Sequence, residues 1–146
     1  MIRYSSVTIE REAQTLFDNI DFRVEEGEFI YLIGKVGAGK SSLLKTIYAE
    51  LPITDGNARV FDYNLKKIKR SQIPYLRRNL GIIFQDFRLL TDRSVNDNLD
   101  FVLKATGWKS KEQREERIRE VLALVGMETK GWRMPNTLSG GEQQRV

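Results

Sequence analysis

The stretch Gly34-Lys35-Val36-Gly37-Ala38-Gly39-Lys40-Ser41 limits the possible folds more than any other part of the chain. It has the form G-x-x-x-x-G-K-[ST], a backbone loop that cradles phosphate. Before it runs Phe29-Ile30-Tyr31-Leu32-Ile33, apolar and rich in strand formers, which predicts a buried strand. After it, Ser41-Ser42-Leu43-Leu44-Lys45-Thr46-Ile47 predicts a helix with Leu43, Leu44 and Ile47 on one face. Consecutive backbone N–H groups surround a phosphate only where the chain bends sharply without bulky side chains, and Gly34, Gly37 and Gly39 permit both. A helix beginning near Lys40 adds unpaired N–H groups and the positive end of its dipole. Lys40 is placed to reach β- and γ-phosphates as a point charge, and the Ser41 hydroxyl to hold Mg²⁺. A chance match in a glycine turn is the competing reading; the flanking strand and helix patterns argue against it.

The chain's 146 residues suffice for one domain with a sizeable core. No apolar run approaches the length of a membrane span, and the first residues lack a signal-peptide pattern, so a cytoplasmic location is expected. There is no cysteine, hence no disulfide and no thiolate metal site, and no histidine, so any general base is another residue type. A net charge of +4 is too mild to argue for nucleic acid, and no nucleic-acid partner is expected.

Read in order, residues 1–9 predict a strand broken at Ser5-Ser6, residues 10–15 a polar turn, and Ile20–Val24 a second strand with one face buried. The helix after the glycine loop is predicted to run to about Leu51 and stop before Pro52. Asp55-Gly56 reads as a turn and Ala58–Phe61 as a short strand. Lys66, Lys67, Lys69, Arg70, Arg77 and Arg78 make residues 66–78 basic. That run is either a contact for anionic lipid or nucleic acid, or a solvated surface flanking a short helix near Ile73–Arg78, and the charge balance elsewhere favours the second. Leu80–Phe84 predicts another buried strand, with Gln85 and Asp86 at its end, where open α/β sheets bind ligands. Asp92 or Ser94 is a cap for a helix over Val95–Lys104, and Ser110 starts a capping box for a helix carrying Ile118, Val121, Leu122 and Val125, ended by Gly126. Thr137 to Val146 reads as a glycine loop entering a helix, a second possible anion site or a plain exposed turn.

With both glycine stretches placed, the chain resembles the ATP-binding subunits of ABC transporters. Leu138-Ser139-Gly140-Gly141-Glu142-Gln143-Gln144-Arg145-Val146 is similar to that family's signature, and Gln85 in Ile83-Phe84-Gln85-Asp86 falls where the family's Q-loop glutamine lies. Within the family the likeness is to the FtsE group of bacterial cell-division ATPases, through Phe84-Gln85-Asp86-Phe87-Arg88-Leu89-Leu90-Thr91-Asp92-Arg93-Ser94-Val95 and the Met1–Tyr4 start. The resemblance implies an α/β P-loop NTPase (RecA-like) core with a small antiparallel β part and an α-helical subdomain. The core is expected over residues 1–86 and the helical part over 87–146. It also implies ATP and Mg²⁺ as cofactors, bound by Gly34, Lys35, Val36, Gly37, Ala38, Gly39, Lys40, Ser41 and Ser42. Lys40 and Gln85 are then catalytic, with Ser41 and Gln85 on the metal. Ser139, Gly140, Gly141 and Glu142 would cover the ATP of a second subunit in a head-to-tail homodimer. An integral membrane partner, an FtsX-like permease, is implied, with this chain peripheral on the inner face of the bacterial plasma membrane.

Two features depart from the family pattern. Arg11 stands where an aromatic residue usually stacks on adenine; its guanidinium can stack in turn, and Tyr4 is read as core. The sequence stops before the family's Mg²⁺-binding Asp, catalytic Glu and switch histidine, and Glu142 does not replace them. The expectation is therefore a fragment of a longer subunit, with an incomplete sheet, that binds nucleotide better than it hydrolyses it. Lipoprotein-releasing or macrolide-export ATPases, and a nucleotide-binding regulator without turnover, stay open as alternatives.

Overall fold

The computed structural model describes residues 1–12 and 14–146. They form two compact units, Met1–Gly81 and Ile82–Val146.

The first unit is built on an antiparallel sheet in the order β2-β1-β3-β4: β1 Ile2–Arg11, β2 Gln14–Val24, β3 Asp55–Val60 and the two-residue β4 Tyr63–Asn64. The expected break at Ser5-Ser6 is a bulge inside one continuous strand. Pairing slips between Tyr4↔Phe22 and Val7↔Ile20, and Ser6 takes φ 49°. In a regular strand Tyr4 and Val7 would face opposite sides. The extra residue turns Tyr4, Val7 and Ile9 all inward, where they are fully buried with Ala58, Val60, Leu43 and Leu76. Of the expected turn at 10–15, residue 13 lies outside the described residues, and β1 and β2 stay paired as far as Arg11↔Gln14.

Asp55-Gly56 is not a turn but the start of β3. Gly56 has φ 84°, and a Cβ there would collide with the Ser6 carbonyl oxygen across the bulge. The helix after the glycine loop, α1 (Lys40–Ile47), is shorter than predicted. It ends because Ala49 turns left-handed at φ 53° and the Glu50 N–H folds back to the Lys45 carbonyl, ahead of Pro52. Leu44 is exposed; the buried face of α1 is Ser42, Leu43 and Thr46.

Two expected strands do not form. Phe29–Ile33 and Leu80–Phe84 carry no strand pairing among the described residues. Phe29 is 80% exposed, Ile33 89% and Ile83 83%. A strand apolar on both faces is stable only between neighbours that bond its N–H and C=O groups, with cover on both faces, as in a buried parallel sheet. The four strands present pair among themselves in an antiparallel sheet and offer no such neighbour.

The second unit is helical: α3 Val95–Ala105, α4 Lys111–Leu124 and α5 Gly140–Arg145, with α2 (Ile73–Arg78) belonging to the first unit. Val95, Ile118, Leu122, Met127 and Leu138 form its core. Ser94, not Asp92, caps α3, in a reciprocal box with Asp97. Ser110 caps α4 by accepting the Gln113 N–H, while its own hydroxyl bonds Glu112. Gly126, at φ 65°, follows the α4 terminus as expected.

Candidate nucleotide site

The glycine loop sits where local forces place it. Gly37 and Gly39 both have φ 82°, a region that L side chains avoid. The Ala38 N–H closes back on the Lys35 carbonyl at 3.2 Å, and the Leu43 N–H reaches the Gly39 carbonyl at 3.0 Å, beginning α1. No side chain caps the N-terminus of α1, so its first amide donors are left to solvent or to a ligand. The Lys40 ammonium curls over the bend and donates to the carbonyls of Gly34 at 2.7 Å and Lys35 at 2.8 Å. A cation is thereby held at the concave side of a loop whose residues 34–38 are exposed. Bare space stands around Gly37, where an added Cβ would meet nothing. Exposed amides, an uncapped helix start and a fixed ammonium suit a polyanion.

The loop is supported from two sides. Phe17 of β2 packs against the loop–helix junction so closely that a Cβ at Gly39 would lie 2.7 Å from its ring. Beneath α1, the Thr46 hydroxyl bonds the Tyr4 phenol at 2.8 Å and the Leu43 carbonyl at 2.7 Å. Tyr4 also stacks on Phe22, with ring centroids 4.5 Å apart. Burial pushes the Tyr4 phenol up to about 12, with the Thr46 bond opposing. Tyr4 is thus a core residue that anchors the helix behind the loop. Neither Phe17 nor Thr46 was evident beforehand: both lie in ordinary amphipathic patterns, and only the bulge and the hairpin register bring them to the loop.

Residues 34–42 come together in the first unit; Ser41 is exposed at the helix start and Ser42 is buried against the core. Arg11 is exposed and pairs with neighbouring Glu12 at 3.5 Å. Gln85 belongs to the second unit, exposed in a turn with Asp86, and Phe87 and Arg88 follow at φ 56° and 58°. Among the described residues no three His, Cys, Asp or Glu side chains assemble to hold a metal ion. Any divalent ion here would take part of its shell from the nucleotide's own oxygens.

In the second unit, Ser139, Gly140 and Gly141 open α5 as an exposed, bare turn. Ser139 is the N-cap: its Oγ accepts the Glu142 N–H at 3.3 Å, and Glu142 Oε2 accepts the Ser139 N–H at 2.8 Å. Lys130 pairs with the other Glu142 oxygen at 3.3 Å. The Ser139 amide, then its hydroxyl, then Lys130 hold the Glu142 carboxyl down at about 2. A carboxylate committed to a cap in this way is not poised to take a proton near neutral pH.

The ABC transporter family model matches residues 17–146. The chain is 40% identical over 132 residues to the cell division ATP-binding protein FtsE of Streptococcus pneumoniae, covering 90% of this chain and 57% of that protein. It is 39% identical to FtsE of Mycobacterium tuberculosis over 148 residues, covering 64% of that protein. The methionine import ATP-binding protein MetN 1 of Pectobacterium atrosepticum is 38% identical over 151 residues, with 44% of its length covered. Among solved structures, the ATP-binding cassette MJ0796, a dimer bound to ADP and Pi, superposes with a TM-score of 0.85 at 28% identity. That match covers 99% of this chain and 66% of the cassette. The chain thus spans roughly three fifths of the FtsE relatives it matches.

Proposed function

The chain belongs to the ABC transporter family, and from that premise we propose that it is the nucleotide-binding part of an FtsE-like ATPase subunit. The observation that carries the proposal is the loop itself, an open glycine bend with the Lys40 ammonium bridging two of its carbonyls and an uncapped helix start behind it.

In this reading residues 34–42 bind the triphosphate. Their amides face the phosphate oxygens, and Lys40 exchanges its loop carbonyls for β- and γ-oxygens. Ser41 would offer its hydroxyl to Mg²⁺ and Gln85 its amide, and the ion would supply charge neutralisation on the phosphates when bound. Gln85 also orients the attacking water. Ser139, Gly140 and Gly141 act on the nucleotide of a second subunit: one loop encloses only one side of a phosphate chain, and closure from the other excludes water. The Ser139–Glu142 cap serves this role by keeping the turn rigid and its glycines bare. In the complete subunit the nucleotide-binding core is proposed to run to residue 86 and the helical part from 87, a little beyond the boundary of the compact units at Gly81. The chain would sit peripherally on the inner face of the plasma membrane, coupled to an FtsX-like integral membrane protein in cell division. The similarity to a methionine importer of 38% identity favours an import ATPase as the second reading. The membrane protein that co-purifies with the subunit separates the two.

The test is titration with Mg-ATP, read by amide resonances and calorimetry. Residues 34–42 should shift, and Lys40→Ala should weaken binding about a hundredfold, as loss of a charged phosphate contact implies. Unmoved resonances in the folded protein, or unchanged affinity in Lys40→Ala, would defeat the proposal.

A further inference from the structure

From Tyr63 to Gln85 there is no acidic residue, while six of the chain's 24 basic side chains lie there, at 66, 67, 69, 70, 77 and 78. The remaining chain carries eighteen basic residues against 20 acidic ones, so the whole net charge of +4 originates in this segment. The structure shows how the segment is mounted. Leu65 and Leu76 are buried in the core of the first unit, and Ile68 and Leu80 pack against it. Everything basic between them is turned outward: Lys66, Lys67, Lys69, Arg70, Arg77 and Arg78 are all exposed.

Three of these, Lys66, Arg77 and Arg78, have local contacts. Lys66 pairs with Asp55 at 2.7 Å, and Arg77 donates to the Tyr48 carbonyl at 2.9 Å, near the end of α1. Lys67, Lys69 and Arg70 take part in none of the ion pairs among the described residues. Beside them Tyr75 is 57% exposed, with the Arg78 guanidinium 5.1 Å from its ring centre. An exposed tyrosine next to a guanidinium has an apolar body and a polar edge, the combination suited to a headgroup layer.

We infer that residues 66–78 form a docking surface for anionic lipid, with Lys67, Lys69 and Arg70 contacting headgroup phosphates and Tyr75 resting at the interface. The inference rests on the reading of the chain as a subunit that works against a membrane. Charge complementarity carries it: an anionic leaflet attracts clustered Lys and Arg, each strengthening binding about fivefold. Single-stranded nucleic acid would call for a row of stacking aromatics, and this segment exposes one.

The test is co-sedimentation of the full chain with vesicles of phosphatidylcholine alone, and with an equal share of phosphatidylglycerol, at low and high salt. Binding should need phosphatidylglycerol and fade with salt. The Lys67→Gln, Lys69→Gln, Arg70→Gln triple variant should bind about a hundredfold more weakly, and Lys67→Arg with Lys69→Arg should bind normally. A control triple at Lys109, Lys111 and Arg117 should lose far less. Equal sedimentation on both vesicle types, an unaffected patch triple, a control triple as damaged as the patch triple, or tighter binding to a DNA oligonucleotide would each overturn the inference. Mg-ATP titration of the same samples separates the two ideas. Lost ATP binding with retained vesicle binding removes the ATPase reading and leaves the surface; the reverse removes the surface alone.

Discussion

Tyr4 shows how a single side chain, remote from any ligand, holds the candidate site in place. Its phenol bonds the Thr46 hydroxyl beneath α1, and its ring stacks on Phe22. With its ionisation pushed up to about 12 by burial, the folded protein resists losing this proton while the unfolded chain loses it near 10. The folded value is the higher one, so the stabilisation is complete below pH 10 and disappears as pH rises from 10 to 12. The part of the unfolding free energy that comes from this phenol, followed by denaturant unfolding, should therefore be constant below pH 10 and decline above it, by about 3 kcal/mol once the pH has passed the folded value. Tyr4→Phe should cost about 1 kcal/mol at neutral pH and flatten that alkaline decline; an unchanged slope in the variant would assign the decline to other groups. The loop residues were legible because their chemistry needs side-chain absence and one cation at fixed spacing, which a sequence displays directly. Thr46 and Phe17 were not, because a contact across 42 residues, or between a hairpin and a loop, leaves no periodic trace.

At the level of elements, the helices of the second unit are legible in the sequence because their signals are local: Ser94 and Ser110 caps, Gly126 beyond a terminus, apolar residues at helical spacing. The sheet was read with one productive irregularity. Ser5-Ser6 interrupts the alternation, and the interruption is a bulge that sends Tyr4 and Val7 to the same face. Asp55-Gly56 has the sequence form of a turn, but here the glycine serves a strand that must approach the bulge. Gly56→Ala combines a left-handed φ with a backbone collision at Ser6, neither relieved by a rotamer change. It should destabilise the first unit by about 3 kcal/mol or more. Gly37→Ala, equally left-handed but in open space, should cost clearly less. Thermal melts of the two variants measure the difference; equal losses would mean that φ alone, not the close approach, sets the cost.

For the molecule as a whole, each unit has its own core, and of the apolar segments at Phe29–Ile33 and Leu80–Phe84, Leu80 packs against one of these cores while Phe29, Tyr31, Ile33 and Ile83 stay exposed. Both were predicted as buried strands because composition reports what a segment prefers, not whether neighbours exist to satisfy it. The forgone stabilisation is large: fully burying five such side chains is worth roughly 10 kcal/mol, comparable to the entire stability of a typical domain. Hydrogen exchange should show the consequence. Amides of residues 29–33, which pair with no described strand, should exchange close to the unprotected rate, while those paired between β1 and β3 exchange only through unfolding of the first unit. Strong protection of 29–33 would mean that these residues find strand partners in solution. Protection that falls on dilution would place that partner in a second copy of the chain, because pairing between chains depends on concentration and pairing within one chain does not.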